Sequence, residues 1–376
     1  MSYRVLHLIG GGEIGGAEQH VLTLFNNFKQ DRVMPYLVCL VANSPLAVLA
    51  QSLGVHTTVI SMRFPVDITP VLPIAQFCRT NRIDIIHAHG TRANLIGRLV
   101  AKLISLPCIT TMHSLPEHDY TSGWKAKIAL MLDNMTVPFS AGIITVSNSL
   151  QASLYQRYGK RIKNLPVKTV YNGYPKLDFD KYNEMRNSFR NKWDISDNEI
   201  VVGTIGRLHP VKGHSYLISG LQLLSQEIPD LHLLLIGDGP IRNSLHRELE
   251  KSNLPYTMTG HVFPAWGALP AIDIFVLPSL SEGMGLVLLE AAQAEVPIVA
   301  SRVGGIPEIW ENQISALLIT PAEPEEIAAA CKRILQDESL RKHLISNAAQ
   351  RANTLNEKTM TEETSSFYDT ILNKGR

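Results

Sequence analysis

The segment RVLHLIGGGEIGGAEQH, residues 4–20, places a strand, a glycine-rich turn and the start of a helix in direct succession. Its apolar beginning predicts a buried β-strand over Arg4–Ile9, and the spacing that follows predicts an amphipathic α-helix over Gly16–Phe28. Apolar strands joined by helices are typical of parallel sheets that are covered on both faces. The segment therefore predicts a doubly wound α/β unit, with ligands expected beyond the carboxyl ends of its strands.

The same alternation continues along all 376 residues. The predicted strands of the first half are Arg4–Ile9, Tyr36–Val41, His56–Ile60, Asp84–His87, Cys108–Met112, Gly142–Val146 and Val167–Val170. Those of the second half are Ile200–Ile205, His232–Ile236, Thr257–Thr259, Ile274–Leu277, Ile298–Ala300 and Ala316–Ile319. A turn-like segment, Asn172–Pro175, separates the two series. The sequence predicts two doubly wound α/β domains, over 1–175 and 176–356, with consecutive helices and no strand in 323–373.

Composition excludes several classes of protein. The chain is 45% hydrophobic and 18% charged with a net charge of +1, which is not the composition of a disordered chain. No run approaches the ~20 apolar residues of a membrane-spanning helix, and the N-terminus lacks a signal-peptide pattern. The four cysteines form no C-x-x-C pair and favour buried thiols in a reducing compartment; they are Cys39, Cys78, Cys108 and Cys331. We expect a cytoplasmic protein.

The near-zero net charge hides an asymmetry between the two halves. Residues 1–175 contain 16 Lys and Arg against 8 Asp and Glu, whereas the remainder contains 19 against 26. One interpretation is that the basic half contacts an anionic surface, such as lipid headgroups or a phosphorylated acceptor. The alternative is that opposite charges help the two halves to dock. Nucleic acid is disfavoured as a partner, because no aromatic platform interleaves with the basic residues.

The stretch WKAKIALML, residues 124–132, combines basic and apolar residues with an aromatic residue at its start. It predicts either an amphipathic helix resting on the inner face of a membrane, near a lipid-linked acceptor, or an ordinary helix that packs its Ile and Leu face on the sheet. A basic cluster nearby consists of Arg157, Lys160, Arg161 and Lys163. The residues leave both interpretations open.

The glycine-rich turn contains a G-x-G-x-x-G pattern at Gly10, Gly12 and Gly15. A dinucleotide site would also need an acidic residue at the end of the second strand to hold the ribose. That strand ends in LVAN, residues 40–43, without a carboxylate. We therefore expect the loop and the helix start to approach a phosphate or a sugar, the alternative being a turn that serves packing alone.

Two further motifs follow strands of the second half. In GRLHPVKG, residues 206–213, Arg207 and Lys212 straddle a strand-to-helix turn and can converge on one anion, unless both are simply solvated. In SEGMGLVLLEA, residues 281–291, Glu282 precedes a helix that starts near Gly285, and Glu290 lies inside it. The helix start favours anions, and the two carboxylates stand roughly a diphosphate length apart along the axis. The alternative is a capping Glu282 and a surface Glu290.

In this order the motifs resemble those of the retaining, family-four nucleotide-sugar glycosyltransferases of GT-B fold. The resemblance runs the length of the chain and includes the segments GGAE (15–18), DIIHAH (84–89), NG (172–173), GRLHPVKG (206–213), E-x7-E (282–290) and VGGIPE (303–308). It implies two Rossmann-like domains facing a cleft, with the donor held mainly by the C-terminal one. It also implies that a last helix, about 357–376 with Phe367 and Tyr368, crosses back onto the N-terminal domain.

The resemblance also implies roles for individual residues. Arg207 and Lys212 would bind the donor diphosphate, Glu282 the sugar hydroxyls and Glu290 the ribose. Backbone groups at Met284, Gly285 and Leu286 would meet the phosphate and the sugar, and Gly15 and Gly16 would close over the donor. His113 matches the family histidine near the transferred sugar. The sequence departs from the family pattern at Ser114, directly after His113, where Asp is frequent. It also departs at Met284, where Phe is common, and at Tyr174-Pro175, and neither of these two changes removes a charged contact.

The implied activity is retaining transfer of a sugar from a nucleotide-diphosphate donor to the hydroxyl of a carbohydrate or lipid-linked acceptor, in cell-surface glycan or glycolipid synthesis. We expect no cofactor and no metal, because two cations and a helix start can neutralise the leaving diphosphate. The sequence shows no carboxylate pair and no histidine cluster that would bind a metal. The alternatives are a sugar-nucleotide epimerase of the same fold and a non-catalytic nucleotide-sugar-binding subunit, although the latter would be expected to have lost Lys212, Glu282 or His113.

Overall fold

The computed structural model describes residues 2–116 and 123–374 and divides the chain into two compact units. Unit 1 comprises residues 1–175 together with 355–376, and unit 2 comprises residues 176–354. Each unit has its own parallel sheet and its own hydrophobic core. All four cysteines are buried free thiols. Within the described residues, no helix is long and apolar enough to cross a bilayer.

Unit 1 contains a seven-stranded sheet in the order β3-β2-β1-β4-β5-β6-β7, and every paired neighbour is parallel. The strands are β1 Tyr3–Ile9, β2 Val33–Cys39, β3 His56–Val59, β4 Ile85–His89, β5 Cys108–Met112, β6 Gly142–Thr145 and β7 Val167–Thr169. Its first six helices are α1 Gly16–Asn27, α2 Pro45–Ser52, α3 Val71–Thr80, α4 Thr91–Ile104, α5 Gly123–Thr136 and α6 Asn148–Tyr158. Short 3-10 turns cover Val137–Phe139 and Gly159–Ile162.

Unit 2 repeats the architecture with a six-stranded parallel sheet in the order β10-β9-β8-β11-β12-β13. The strands are β8 Ile200–Ile205, β9 Leu231–Ile236, β10 Tyr256–Gly260, β11 Ile274–Leu277, β12 Ile298–Ser301 and β13 Leu317–Ile319. The helices are α7 Tyr182–Lys192, α8 His214–Ser225, α9 Arg242–Glu250, α10 Leu286–Gln293, α11 Ile306–Ile309, α12 Pro324–Gln336 and α13 Glu338–Thr354. The last helix of the chain, α14, spans Glu357–Lys374 and belongs to unit 1.

Both faces of the unit 1 sheet are buried, as the continuously apolar strands predict. Side chains of β1 alternate between two clusters: Val5 and Ile9 lie in one, and Leu6 and Leu8 in the other. The first cluster includes α14, since Phe367 and Tyr368 are buried there. Gly142 on β6 permits this approach, because a Cβ at its position would lie 2.8 Å from the Cδ1 of Ile371. The expected doubly wound fold and the returning last helix are confirmed.

The boundaries of β2 differ from the prediction, which was Tyr36–Val41. The strand ends at Cys39, although the chain continues to pair beyond it. The backbone N–H of Leu40 donates to the carbonyl of Ile9 at 2.9 Å, and that of Val41 donates to Gly10 at 3.1 Å. The first of these bonds reaches the last residue of β1, whereas the second reaches Gly10 in the glycine-rich turn and therefore connects two loops. An apolar pattern alone cannot separate a strand from the loop that leaves it.

Candidate active site

The loop after β8 in unit 2 is held against the loop after β11. Gly213 has a φ of +68°, and a Cβ at its position would lie 2.0 Å from the carbonyl oxygen of Pro278. The N–H of Leu280 also donates to the carbonyl of Val211 at 2.7 Å. Only glycine allows so close an approach of two backbones in this conformation. The contact brings Lys212, one residue before the glycine, to the carboxyl end of β11.

Lys212 and Glu282 form an ion pair at this edge of the sheet. The Nζ of Lys212 lies 2.7 Å from the Oε2 of Glu282, and the Oγ of Ser279 donates to the same oxygen at 2.9 Å. The two charged side chains are 24% and 13% exposed, so they remain in contact with solvent. The sequence analysis predicted a role for both charged residues and missed Ser279. A strand that ends in Pro-Ser before a glycine-rich turn was the only available signal for the serine.

A third loop completes this edge. Gly304 has a φ of +55°, and a Cβ there would lie 1.7 Å from the carbonyl oxygen of Glu282. The N–H of Gly305 donates to the carbonyl of Gly283 at 3.0 Å. The VGGIPE segment therefore packs directly on the turn that carries Glu282. The loops after β8, β11 and β12 together fix the position of one carboxylate and one ammonium group.

The turn after Glu282 leads into α10. Gly285 caps this helix with a φ of +74°, Met284 is buried beneath the turn, and Leu286 is the first helical residue. The first amides of α10 have no partner within the helix and favour negative charge. Glu290 is the fifth residue of α10 and is half-buried. Its side chain therefore belongs neither to the open surface nor to the core.

Arg207 also follows β8, but the structure does not bring it to the Lys212–Glu282 pair. Its side chain is exposed and forms no ion pair with any residue in 2–116 or 123–374. The loop around it is held tightly, because a Cβ at Gly239 would lie 2.3 Å from the carbonyl oxygen of Leu208. The contact between Gly239 and Leu208 was not predicted from the sequence. The Gly-Asp-Gly segment at 237–239, after β9, was the available signal. Arg207 thus keeps a free guanidinium on a constrained backbone.

The glycine-rich turn of unit 1 lies at the carboxyl end of β1. Gly11 has a φ of +73°, and the Oγ of Ser44 donates to its carbonyl oxygen at 2.6 Å. Gly15 caps α1, and its N–H donates to the Oε2 of Glu18 at 3.2 Å. Gly15 and Gly16 are both exposed. The turn therefore presents backbone at a helix start, as the phosphate or sugar hypothesis requires.

The expectation that the chain contains no histidine cluster is wrong. Five histidines meet at the carboxyl end of the unit 1 sheet: His7 on β1, His20 on α1, His87 and His89 on β4, and His113 after β5. His7 and His87 are direct neighbours in the parallel register. The HAH pattern at 87–89 places two imidazoles on one face of a strand, but the contribution of α1 depends on how the helix packs.

Hydrogen bonds connect the cluster. The Nδ1 of His7 lies 3.1 Å from the Nε2 of His89, whose Nδ1 lies 3.3 Å from the Nε2 of His113. His87 bonds to the hydroxyls of Tyr368 at 2.7 Å and Thr111 at 2.6 Å. His113 is half-buried and lines a small cleft within unit 1, together with Gly90 and Asn94. The cluster therefore extends from the centre of the sheet to a solvent-accessible side chain.

Burial keeps these imidazoles neutral. It lowers the pKa of His7 to about 3, with a further contribution from the charge of His20. Burial also lowers the pKa of His20 to about 4, against the effect of its hydrogen bond to Asn172. The pKa values of His87, His89 and His113 are lowered well below the usual value for the same reason. At pH 7 the cluster carries no charge, whereas the edge of unit 2 is charged.

Two Rossmann-like units with shaped loops at the carboxyl ends of their strands define the GT-B class of glycosyltransferases. Residues 185–351 match the family model described as glycosyl transferases group 1, and residues 14–175 match the one described as glycosyltransferase family 4. The two matches account for most of both units. The chain belongs to the family-four glycosyltransferases, which act on nucleotide-sugar donors.

Individual relatives agree with this assignment. The chain is 24% identical, over 73% of its length and 72% of the relative's, to an Escherichia coli UDP-Gal:alpha-D-GlcNAc-diphosphoundecaprenol alpha-1,3-galactosyltransferase. It is 24% identical, over 81% of its length and 82% of the relative's, to the capsular polysaccharide biosynthesis glycosyltransferase CapM of Staphylococcus aureus. The crystal structure of Anabaena HepE in complex with UDP-glucose has the same fold, with a TM-score of 0.81 at 22% identity over 98% of this chain and 99% of that one.

Proposed function

We propose that this chain transfers a sugar, hexosyl or related, from a nucleotide diphosphate to the hydroxyl of a carbohydrate or lipid-linked acceptor, with retention of the anomeric configuration, in glycan or glycolipid synthesis. The observation that carries this proposal is the Lys212–Glu282 pair, with 2.7 Å between Nζ and Oε2, at the carboxyl edge of the unit 2 sheet. A cation for the diphosphate and an acceptor for sugar hydroxyls stand side by side there.

Each residue of this edge has a place in donor binding. When a diphosphate arrives, Lys212 contacts its oxygens and releases part of its bond to Glu282, which then accepts hydrogen bonds from the sugar. Arg207 supplies the second cation, and the first amides of α10 contribute a helix start. Glu290, further along α10, holds the ribose. We also assign donor binding to Gly15 and Gly16, whose backbone is exposed at the start of α1.

The chemistry depends on charge neutralisation. A retaining glycosidase uses two carboxylates about 5 Å apart as nucleophile and acid/base. Here Glu282 is bonded to Lys212 and Ser279, which suits binding more than nucleophilic attack. A nucleotide diphosphate departs as a stabilised anion and needs no general acid. Arg207, Lys212 and the α10 start stabilise the negative charge that develops, without a metal ion. The acceptor hydroxyl attacks from the face that the diphosphate leaves, and a leaving phosphate oxygen takes its proton.

A thermal-shift panel of UDP-, GDP- and ADP-sugars, with free nucleotides and NAD as controls, tests the donor assignment. A ligand that binds only the folded state raises its stability by RT ln(1 + [L]/Kd). We expect one nucleotide-sugar series to raise the Tm, and we would test the uridine series first because both HepE and the E. coli relative have uridine donors in their names. A shift with NAD and none with any sugar nucleotide would contradict the proposal. Addition of EDTA should leave the donor shift unchanged.

We also propose peripheral contact with an anionic membrane through α5. Trp124, Ile128, Met131 and Met135 are 63%, 36%, 55% and 60% exposed and follow one another at helical spacing, so they form a single outward stripe. The opposite face of α5 points inward because Asp133 is buried in an ion pair with Arg98, at 2.5 Å. These four side chains are therefore not buried against unit 1, whereas Ala129 of the same helix is buried and Leu130 and Leu132 are half-buried.

Charge around the stripe favours an anionic lipid surface. Lys127 is exposed on α5, and Arg161 donates to the carbonyl of Asn134 on the same helix at 2.7 Å. Asp133, the one acidic residue between 123 and 136, is buried. An apolar stripe flanked by basic residues is the pattern of helices that lie in a membrane interface. Such contact would bring the protein to a lipid-linked acceptor.

Vesicle co-sedimentation tests the membrane contact. A triple variant, Trp124→Ser with Met131→Ser and Met135→Ser, should bind phosphatidylglycerol-containing vesicles about tenfold or more weakly than the wild type. A matched control, Val48→Ser with Leu72→Ser, removes residues that are 67% and 70% exposed on other helices and should bind normally. Equal binding by the triple variant, or a loss of self-association instead of vesicle binding, would contradict the proposal.

A further inference from the structure

Three of the five clustered histidines point nitrogens at one another. His20, His89 and His113 each offer a nitrogen that lies within 4.8 Å of the other two. The Nδ1 of His89 and the Nε2 of His113 are 3.3 Å apart. In a tetrahedral zinc site, bonds of about 2.0–2.1 Å separate the coordinating nitrogens by roughly 3.3–3.4 Å. The spacing of this pair already matches that of a metal site, and the nitrogen of His20 lies within 4.8 Å of both.

His20 has a buried lone pair with no hydrogen-bond partner in the described structure. Its Nδ1 lies 2.8 Å from the Oδ1 of Asn172, and a carbonyl oxygen can only accept. The proton of the neutral ring therefore sits on Nδ1, and Nε2 carries a lone pair. That nitrogen is buried and makes no hydrogen bond to any residue in 2–116 or 123–374. Such orphaned atoms are rare in folded proteins and indicate a missing partner, such as a water molecule or an ion.

The surroundings support metal ligation by these rings. Metal-ligating histidines usually donate their second N–H to an oxygen or another acceptor, which fixes the ring. Asn172 does this for His20, and the Nδ1 of His7, 3.1 Å from the Nε2 of His89, can do it for His89. Burial keeps all three rings neutral by lowering their pKa values, and the neutral imidazole is the form that binds metals. When an ion binds, the hydrogen bond between the Nδ1 of His89 and the Nε2 of His113 is replaced by two metal bonds, and the proton of each ring is then on its other nitrogen.

A different trio, His7, His87 and His89, is also close enough to hold an ion. Both nitrogens of His87, however, are engaged by the hydroxyls of Tyr368 and Thr111. An ion there would have to break one of two short bonds in the centre of the sheet. The trio that contains His113 loses only the longer 3.3 Å bond between His89 and His113, and His113 lines a small cleft of unit 1.

We propose that His20, His89 and His113 form a three-imidazole site for one zinc-class divalent ion, with the fourth coordination position left for water. Imidazole nitrogens suit Zn²⁺, Co²⁺, Ni²⁺ and Cu²⁺ and disfavour Mg²⁺ and Ca²⁺. The ion takes no part in sugar transfer. The family resemblance implies that His113 lies near the transferred sugar, so an ion that occupies His113 inhibits transfer. This consequence rests on the proposed function, whereas the site itself does not.

Equilibrium dialysis of the tag-free, full-length protein with Zn²⁺ tests the site. We expect one bound equivalent for the wild type and at least a tenfold loss of affinity in His20→Gln and in His113→Gln. The matched control is His246→Gln, an exposed histidine of unit 2, which should bind as the wild type does. Substitution by Co²⁺ should give the visible absorption of a tetrahedral ion in the wild type and not in His20→Gln. His113→Gln changes a half-buried side chain and provides a folded variant if His20→Gln is unstable, as judged by its Tm.

Two results would overturn the site: no bound Zn²⁺ in the wild type, or equal binding by both histidine variants. Inhibition is measured separately, by titrating Zn²⁺ into a transfer assay with wild type and His20→Gln. We expect the wild type to lose activity at the Zn²⁺ concentration that fills the site, and His20→Gln to resist. Bound Zn²⁺ without inhibition would overturn only the regulatory consequence. If the thermal-shift panel detects no donor, the proposed function fails while the dialysis result stands.

Discussion

The two sheets of this protein have the same strand arrangement around their central strands, but the side chains at their carboxyl edges differ in charge. In each sheet a central strand is flanked on one side by the next strand in the chain and on the other by a strand three positions later, β1 between β2 and β4, and β8 between β9 and β11. At the carboxyl edge, unit 1 has uncharged imidazoles, whereas unit 2 has the Lys212–Glu282 ion pair. His7 and His89 lie on the strands themselves and are fully buried, which neutralises them. Lys212 and Glu282 lie on loops past the strands, remain partly exposed and form an ion pair. Both units therefore place functional groups at the carboxyl edge of the sheet, but they bury those groups to different extents.

Acidification should produce the largest difference in stability between the two units, larger than the effect of any single substitution. His7 and His20 have pKa values of about 3 and 4 in the folded protein against 6.5 for the free group, so the unfolded chain binds more protons as the pH falls below 6.5. Each would cost about 2 kcal/mol of stability at pH 5 relative to pH 7. Hydrogen exchange at pH 7 and pH 5 should show a larger loss of protection in β1 and β4 than in β8 and β11. Equal losses in both sheets would contradict the neutral state of the cluster.

Removal of the positive charge of Lys212 in unit 2 should have the next largest effect, this time on activity. Lys212→Ala should lower kcat/KM about 100-fold, because one contact to the developing negative charge is lost. Calorimetry with the donor identified by the thermal-shift panel should show weaker binding, and the Tm should change little. Lys332→Ala is the matched control, since this lysine also pairs with a glutamate of unit 2, Glu227, at the surface. Unchanged donor affinity in Lys212→Ala would remove this residue from the donor site.

A smaller effect is expected at Glu290, on the inner part of α10. Glu290→Gln should weaken donor binding about tenfold, which corresponds to loss of a charged hydrogen bond to a hydroxyl. Free nucleotide should lose as much affinity as the intact donor, because the residue is assigned to the ribose. Glu250→Gln, at an exposed position of the same unit, is the control. A loss seen with the sugar nucleotide but not with the free nucleotide would place Glu290 at the sugar instead.

The sequence was informative where local pattern decides structure. Strands such as Cys108–Met112 and Ile200–Ile205 match their predicted bounds, because apolar runs and turn residues are local signals. Lys212 and Glu282 were both predicted as site residues after strands of the second half, but the ion pair between them was not predicted. The roles of the individual site residues remain predictions that the proposed variants test.

Other features depend on contacts that no local pattern contains. His20 joins the cluster only because α1 packs with the face that carries His20 inward. One of the two hydroxyl partners of His87 is Tyr368, which is 281 residues away in the sequence. The rotation of α5 is set by the buried pair between Asp133 and Arg98 on α4. The nine residues of WKAKIALML do not specify which face of α5 this ion pair will turn inward. The helices and strands could be predicted from the sequence, but the way in which they pack against one another could not.

The return of α14 to unit 1 has a consequence for the order in which the protein is made. The chain leaves unit 1 after Pro175 and re-enters it at Leu355, where the N–H of Tyr174 donates to the carbonyl of Leu355 at 3.0 Å. Unit 2 is thus an insertion within unit 1. During translation, all of unit 2 is synthesised before Phe367 and Tyr368 can fill the unit 1 core. The core of unit 1 therefore stays incomplete until the whole of unit 2 has been synthesised.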